Sequence, residues 1–283
     1  MATPTATDWL ELCRTSAKEI RTLLASSGTI ADRAVETGTR GEGGDRTLVI
    51  DERAEDIIFR QLDALAARGF SFDAVSEERG IVRFGAGGSL RVVIDPIDGS
   101  LNAKRGLPHH ALSVAVADGN TMADVSFGYV YDFGPGEEWW AASGQGAWVN
   151  GAQLDAGLTE RRGGDGRLEV LGIESADPRW VAHSLQGLTE VAYRLRAMGT
   201  IAASLCQVAA GRLDGLVSLR ACRAVDAAAG QLIVREGGGV VTFCGLGMAA
   251  PLDLVAHSSV VAARTKATLS KLEPLGVSPD GAR

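Results

Sequence analysis

Val92-Val93-Ile94-Asp95-Pro96-Ile97-Asp98-Gly99-Ser100-Leu101-Asn102 runs strand-forming residues into two carboxylates, with a hydroxyl just beyond them. Pro96 and Gly99 force the backbone to turn there. A carboxylate at the end of a buried strand loses its water and needs a cation or a set of donors. Asp95 and Asp98, folded together by a tight turn, repel each other. A divalent ion between them removes the conflict, and an all-oxygen donor set suits Mg²⁺, Mn²⁺ or Ca²⁺. A helix starting near Gly99 would also aim its N–H groups at that spot, where they would bind an anion. The same letters are compatible with an ordinary Asx-turn in which Asp95 caps a helix.

Working outward, further acidic positions follow apolar runs. Thr47–Ile50 reads as a short extended piece ending at Asp51. Behind it Ala54, Ile57, Ile58, Leu62 and Leu65 repeat with the period of an amphipathic helix. Ser76-Glu77-Glu78 follows the strand-like Phe72–Val75, although adjacent glutamates also suit a solvated face. Ala224-Val225-Asp226-Ala227-Ala228-Ala229-Gly230 puts an aspartate at the start of a small-residue helix. Simple N-capping explains that aspartate equally well, and the alanines and Gly230 let another element come close.

The remaining pattern divides in two. A first helix capped by Thr7 or Asp8 and a polar loop over Thr37–Arg46 precede the helix after Asp51. Strand signals follow at Arg91–Asp95, Ala111–Ala117, Val125–Tyr131 and Glu138–Ala142, an antiparallel arrangement. Gly151–Arg167 is polar and marks the expected junction between residues 1–150 and 151–283. Beyond it, helical signals at Pro178–Leu188, Ile201–Ala210, Val225–Glu236 and Val260–Leu272 alternate with extended runs. Those runs are Leu168–Gly172, Val191–Met198, Leu216–Leu219, Val240–Phe243 and Leu254–Ala256, so the second half is expected to be α/β.

The chain has 283 residues, a net charge of −7 and a mean hydropathy of +0.08. Such acidity gives no global attraction for nucleic acid or anionic lipid. No apolar run is long enough for a bilayer. The polar Met1–Asp8 stretch does not read as an export signal, so a cytoplasmic protein with reduced thiols is expected. The four cysteines show no CxxC spacing.

Taken together, Asp95-Pro96-Ile97-Asp98-Gly99-Ser100-Leu101-Asn102 and Val225-Asp226-Ala227-Ala228-Ala229-Gly230, in order with Asp51 and Glu77, resemble the inositol monophosphatase family. The resemblance covers roughly residues 8 to 272. It implies a layered αβαβα sandwich of the inositol monophosphatase/fructose bisphosphatase type, a homodimer, and a Mg²⁺-dependent, lithium-sensitive phosphatase acting on a small phosphate ester. It also implies two or three Mg²⁺ ions, with Mn²⁺ as a substitute. One would take Glu77, Asp95 and the Ile97 carbonyl, a second Asp95, Asp98 and Asp226, and a third, weaker ion would sit near Glu77. Ser100, where the family commonly has Thr, would position and deprotonate the attacking water with Asp51 orienting it, and the Gly99 and Ser100 N–H groups would hold the phosphate.

Two departures bear on substrate. Val225 replaces a common Trp. The stretch Val217–Arg223 lacks the acid that sugar-contacting members often carry, and brings Arg220 and Arg223 instead. Lys104 follows the first motif. Arg220 and Lys104 are therefore expected substrate contacts for a second anionic group, although such basic residues equally suit solvated or interface positions. Inositol 1-phosphate is the leading expected substrate. Fructose 1,6-bisphosphate (alone or as a dual activity), histidinol phosphate and phosphoadenosine phosphate stay open, as does a non-catalytic regulatory relative.

Overall fold

A computed structural model describes residues 3–28, 33, 35–42, 46–277 and 279. Helix α1 spans Ala6–Ser26, with Thr5 and Asp8 capping it reciprocally. A hairpin of β1 (Glu36–Arg40) and β2 (Arg46–Leu48) occupies the segment expected to be a loop. Gly43, Gly44 and Asp45 lie outside the described residues. Helix α2 covers Val49–Ala67. Then come β3 (Phe72–Ser76), β4 (Gly80–Phe84), β5 (Leu90–Asp98) and the short helix α3 (Ser100–Arg105). Strands β6 (Ala111–Asp118), β7 (Val125–Asp132), β8 (Glu137–Ala142), β9 (Ala147–Val149) and β10 (Ala152–Gln153) complete an eight-stranded sheet. Its order is β10-β9-β8-β7-β6-β5-β3-β4, antiparallel except for the parallel pair β3/β5.

The second sheet has order β12-β11-β13-β15-β14. Its strands are β11 (Leu168–Glu174), β12 (Ala192–Arg196), β13 (Gly215–Ser218), β14 (Val240–Phe243) and β15 (Val260–Ala263). The interleaved helices are α4 (Pro178–Val191), α5 (Ile201–Ala209), α6 (Ala224–Glu236) and α7 (Lys266–Leu272).

Side-chain alternation along β5 and β6 builds the layers. Val92, Ile94, Leu112, Val114 and Val116 face a core with Trp9, Ile20, Ile58 and Leu62 of α1 and α2. Val93, Ala111 and Ala115 face the opposite core, with α5 and α6. That core continues to Leu216, Val241, Val260 and Ala262 of the second sheet. The far side of the second sheet packs Leu171, Val217 and Val261 against Leu188 of α4 and Leu272 of α7. The result is the expected αβαβα sandwich, with α5 and α6 as its middle layer.

The middle layer is thin because its residues are small. A Cβ at Gly128 of β7 would lie 2.7 Å from the Ala229 carbonyl, and one at Gly230 would lie 2.7 Å from Leu205. Ala227, Ala228 and Ala229 are fully or almost fully buried. Only glycine and alanine let α6 lie this close to both β7 and α5.

Some boundaries differ from the sequence reading. The extended piece before Asp51 ends at Leu48, and α2 begins at Val49. Asp51 thus lies in a helical first turn, where a carboxylate is favoured by the helix dipole. Val260–Ala263 is strand β15, and only Lys266–Leu272 is helical, because a four-residue β-branched and alanine run has no decisive period. Leu254–Ala256 forms no strand. Strand β4 went unanticipated. It is an edge strand whose Val82 and Phe84 pack inward while Ile81 is 63% exposed, so apolar residues fall on both faces and the letters do not alternate. Among the described residues no helix is long and apolar enough to cross a membrane.

Replacing Gly128 by Ala pushes a methyl into backbone that cannot move without shifting all of α6. Overpacking of this kind costs about 1–3 kcal/mol. Urea unfolding should show a lower midpoint at unchanged m; an unchanged midpoint means that α6 can yield.

Candidate active site

Register places the first two acidic segments side by side. Strands β3 and β5 are parallel, with Ser76 opposite Ile94, so Glu77 emerges level with Asp95. Helix α2 reaches the same end. Its Glu55, one turn beyond Asp51, accepts a short hydrogen bond from the Ser76 hydroxyl and pairs with Arg79 Nε at 3.0 Å. The Glu77–Arg79 turn is thereby clamped to α2. The hairpin packs on the same turn, the Glu42 N–H donating to the Glu78 carbonyl at 3.3 Å.

Asp98 is brought back by a bulge at the end of β5, where the pairing with β6 shifts between Asp95 and Asp98. The Ile97 N–H donates to Asp95 Oδ1 at 2.9 Å, so the Asx-turn is present. Asp95 does not cap α3, because the capping position is Gly99 at φ +87°. Gly99 is obligatory there. A Cβ would sit 2.8 Å from the Gly199 carbonyl, in a backbone region that L side chains avoid.

Helix α6 delivers the third aspartate. Ser113, the cross-strand partner of Asp95, donates from its hydroxyl to the Val225 carbonyl at 3.3 Å. That contact ties the first turn of α6 to β6 and sets Asp226 beside Asp95. Asp226 also accepts from the Arg223 N–H at 2.8 Å, so its capping role is real and coexists with its place in the cluster. The carboxylates of Asp95, Asp98 and Asp226 are all buried, with one oxygen of each lying within 4.8 Å of the others.

The electrostatics are unfavourable as they stand. At this spacing each ionised pair costs about 3–4 kcal/mol at an effective dielectric of about 20. Burial pushes the Asp95 carboxyl well up, and Glu77, Asp98 and Asp226 add to it. Burial does the same to Asp98, with Asp226 adding; Thr200 and the Ala202 amide oppose. Those two donors reach Asp98 Oδ2 at 2.6 and 2.7 Å from the start of α5. Burial raises Asp51 to about 8, helped by Glu78 and Glu77. Its Oδ1 is buried with no hydrogen-bond partner. Glu77 is raised to about 7, chiefly by burial, against the pull of Arg223. A buried all-carboxylate set of Asp95, Asp98 and Asp226 fits a hard divalent cation, since a cation relieves both repulsion and desolvation.

Other expected residues sit as follows. Ser100 is exposed at the first position of α3. Lys104 is half-buried in its last turn. Arg220 is exposed, its guanidinium 5.6 Å from the centre of the Trp180 ring. Ile97 is buried in the turn.

Three sets of contacts go beyond the sequence reading, in which Asn102 closes the first motif and Arg223 is a nearby basic residue. The Asn102 amide donates to the His109 and Met198 carbonyls at 2.8 and 2.7 Å, stitching α3 to the segment before α5. Glu174, buried at the end of β11, receives the Met198 and Gly199 N–H groups at 3.0 Å each and the Ser204 hydroxyl at 2.6 Å. Arg223 donates to Glu77 Oε1 at 2.7 Å. A Gly-Thr pair ahead of an apolar helix was the available signal for Thr200. Glu174 had none, and Arg223 stands in the sequence only as a basic residue near the second motif, since Glu77 lies far away in the chain.

A cavity of about 410 Å³ opens beside the cluster, lined by Asp98, Ser175, Gly199, Thr200, Arg223 and Asp226 among others. A larger space of about 860 Å³ lies between α1 and α2, away from Asp95, Asp98 and Asp226.

Residues 7–275 match the inositol monophosphatase family. This chain belongs to that family. It is 35% identical over 237 residues to a fructose-1,6-bisphosphatase/inositol-1-monophosphatase of Thermococcus kodakarensis, covering 83% of this chain and 84% of that protein. It is 32% identical, over 82% of this chain and 84% of the relative, to Nus factor SuhB of Escherichia coli. Among solved structures, an inositol monophosphatase-fructose 1,6 bisphosphatase aligns at a TM-score of 0.77 and 28% identity. That alignment covers 94% of this chain and 99% of the other.

The raised carboxyls set a pH dependence. Asp51 and Glu77 lie at about 8 and about 7 against ordinary values of 3.8 and 4.5. The fold therefore keeps protons that the unfolded chain has already released. The stability tied to them is full below about pH 4 and is lost as pH rises through those two values. In EDTA, this contribution makes the melting temperature fall between about pH 5 and about pH 8. The slope should shrink in Asp51→Asn and with saturating Mg²⁺. An identical slope in the variant would show that Asp51 does not contribute.

Proposed function

We propose that this chain is a Mg²⁺-dependent phosphomonoesterase acting on a small sugar or polyol phosphate, with inositol 1-phosphate the leading substrate. The convergence of buried Asp95, Asp98 and Asp226 beside an open cavity carries the reading. Glu77, Asp95 and the Ile97 carbonyl would hold one ion, and Asp95, Asp98 and Asp226 a second, with a weaker third near Glu77. Such ions supply charge neutralisation for a dianionic phosphate and lower the pKa of an attacking water.

The chain's own groups do the rest. The Gly99 and Ser100 N–H groups hold the phosphate oxygens, and the Ser100 hydroxyl positions the water. Asp51, whose buried Oδ1 has no hydrogen-bond partner, would accept from that hydroxyl and orient it. Four cysteines are buried as free thiols, and burial raises Cys13, Cys206 and Cys222. Raised, buried thiols are poor nucleophiles, so attack by water on the ester is the favoured route.

A dual activity that includes fructose 1,6-bisphosphate has its own support. Arg223 lines the cavity, and Arg220 lies over Trp180, close in sequence to the cavity-lining Ser175 and Ala176. The Thermococcus relative carries both activities in its name. A phosphate-release screen over inositol 1-phosphate, fructose 1,6-bisphosphate, histidinol phosphate and phosphoadenosine phosphate, with Mg²⁺ and again with Li⁺ or EDTA, tests the reading. Full turnover after exhaustive chelation would refute it.

Asp98→Asn removes one ligand charge at nearly constant shape, and turnover should disappear while the far-ultraviolet spectrum stays unchanged. More than about a tenth of the wild-type rate, a loss below about 1.4 kcal/mol, excludes Asp98 as a principal ligand.

Arg220→Ala tests the second anionic subsite. Its loss on fructose 1,6-bisphosphate should exceed its loss on inositol 1-phosphate by about 1.5–3 kcal/mol, the contribution of a hydrogen bond to a charged group. Equal losses give Arg220 a structural or general role.

A further inference from the structure

Arg223 is the one cation placed among the carboxylates, in the residue set described. Nη1 donates to Glu77 Oε1 at 2.7 Å and Nη2 to Asp226 Oδ1 at 3.3 Å. The guanidinium therefore bridges the turn after β3 and the first turn of α6. All three side chains are largely sequestered, at 18% exposure for Arg223, 16% for Glu77 and 12% for Asp226. Burial works against the arginine's charge, yet Asp226, Glu77 and Asp95 hold its pKa above the ordinary value, so it stays a full cation. Its backbone is anchored independently, through the Arg223 N–H on Asp226 Oδ2 at 2.8 Å. That backbone bond does not involve the guanidinium. The cavity that Arg223 lines gives it somewhere to go.

We propose that Arg223 is a tethered competitor for the divalent cation, which must displace the guanidinium from Glu77 to bind there. The inference rests on reading the carboxylate cluster as a metal centre. The physical argument is direct. Glu77 and Asp226 are two of the groups that would ligate, and an oxygen facing an N–H donor cannot offer the same lone pair to an ion. A guanidinium left in place would also repel a dication across a poorly screened gap. The arginine holds the cluster together by offsetting its repulsion, and it raises the cation concentration at which the centre fills. Displaced into the cavity, its guanidinium would face the bound ester. Cation binding and anion binding would then be linked through one side chain.

Mn²⁺ titration by calorimetry into EDTA-stripped and desalted protein tests this, using wild type, Arg223→Met and Arg223→Lys. Arg223→Met keeps the length and apolar stem but cannot compete. It should bind Mn²⁺ about tenfold more tightly, a change of about 1.4 kcal/mol, and melt at a lower temperature in EDTA. Arg223→Lys keeps the charge but not the fork that spans two carboxylates, and should fall between the two. It also serves if the methionine variant does not fold, since tighter binding than wild type is still required. Affinity in either variant equal to or weaker than wild type overturns the competition while leaving the metal reading intact. No Mn²⁺ binding by any of the three proteins overturns the metal reading, and the competition with it.

Discussion

Buried like charge is the constraint on which this structure turns. Asp95, Asp98 and Asp226 are withdrawn from water and set within reach of one another. A fold that minimised its own energy would not do this, because each carboxylate is costly alone and costlier beside the others. The architecture is arranged to keep them there. Two hydrogen bonds from the start of α5 fix Asp98, an Asx-turn fixes Asp95, and a helix cap fixes Asp226. The donors that orient them come from the start of α5, the end of β5 and the cap of α6.

The middle helix layer makes that arrangement possible. Helix α6 contacts both sheets' core and α5, and its approach to β7 is set by Gly128 and the alanine run. The distance between Asp226 and Asp95 is a consequence of this packing. A bulkier α6 would stand off from the sheet and carry Asp226 with it. The same layer holds α5, whose N-terminal segment is tied down by Glu174 and Asn102. Packing, helix placement and carboxylate geometry are therefore one problem, solved by small residues in the centre of the sandwich.

Legibility in the sequence followed how local each signal was. The tight turn at Asp95–Asp98, the glycine at 99 and the small-residue helix around Asp226 were visible because each is a short pattern with a steric reason. The start of α2 was misplaced by a few residues, since Val49 and Ile50 suit strand and helix alike. Val260–Ala263 suits strand and helix alike for the same reason. Strand β4 has no period-two signal in its letters, because the outward-facing Ile81 is as apolar as the inward-facing Val82 and Phe84. In the sequence Arg223 is only a basic residue near the second motif; its partner Glu77 is 146 positions away.

By itself, the sequence determined which residues are acidic, where the chain must turn, and which helix can be approached closely. These are properties of single residues and of neighbours a few positions apart, fixed by sterics and backbone conformation. The parallel register of β3 with β5, the Ser113–Val225 contact and the Arg223 bridge were decided only in three dimensions. They join segments far apart in the chain, and such pairings emerge from packing two sheets around a shared helical layer. Charge strength depends on that packing too. Asp51 is an ordinary carboxylate in the sequence and a buried one raised to about 8 in the fold, because only the tertiary structure removes its water and brings Glu77 and Glu78 near it.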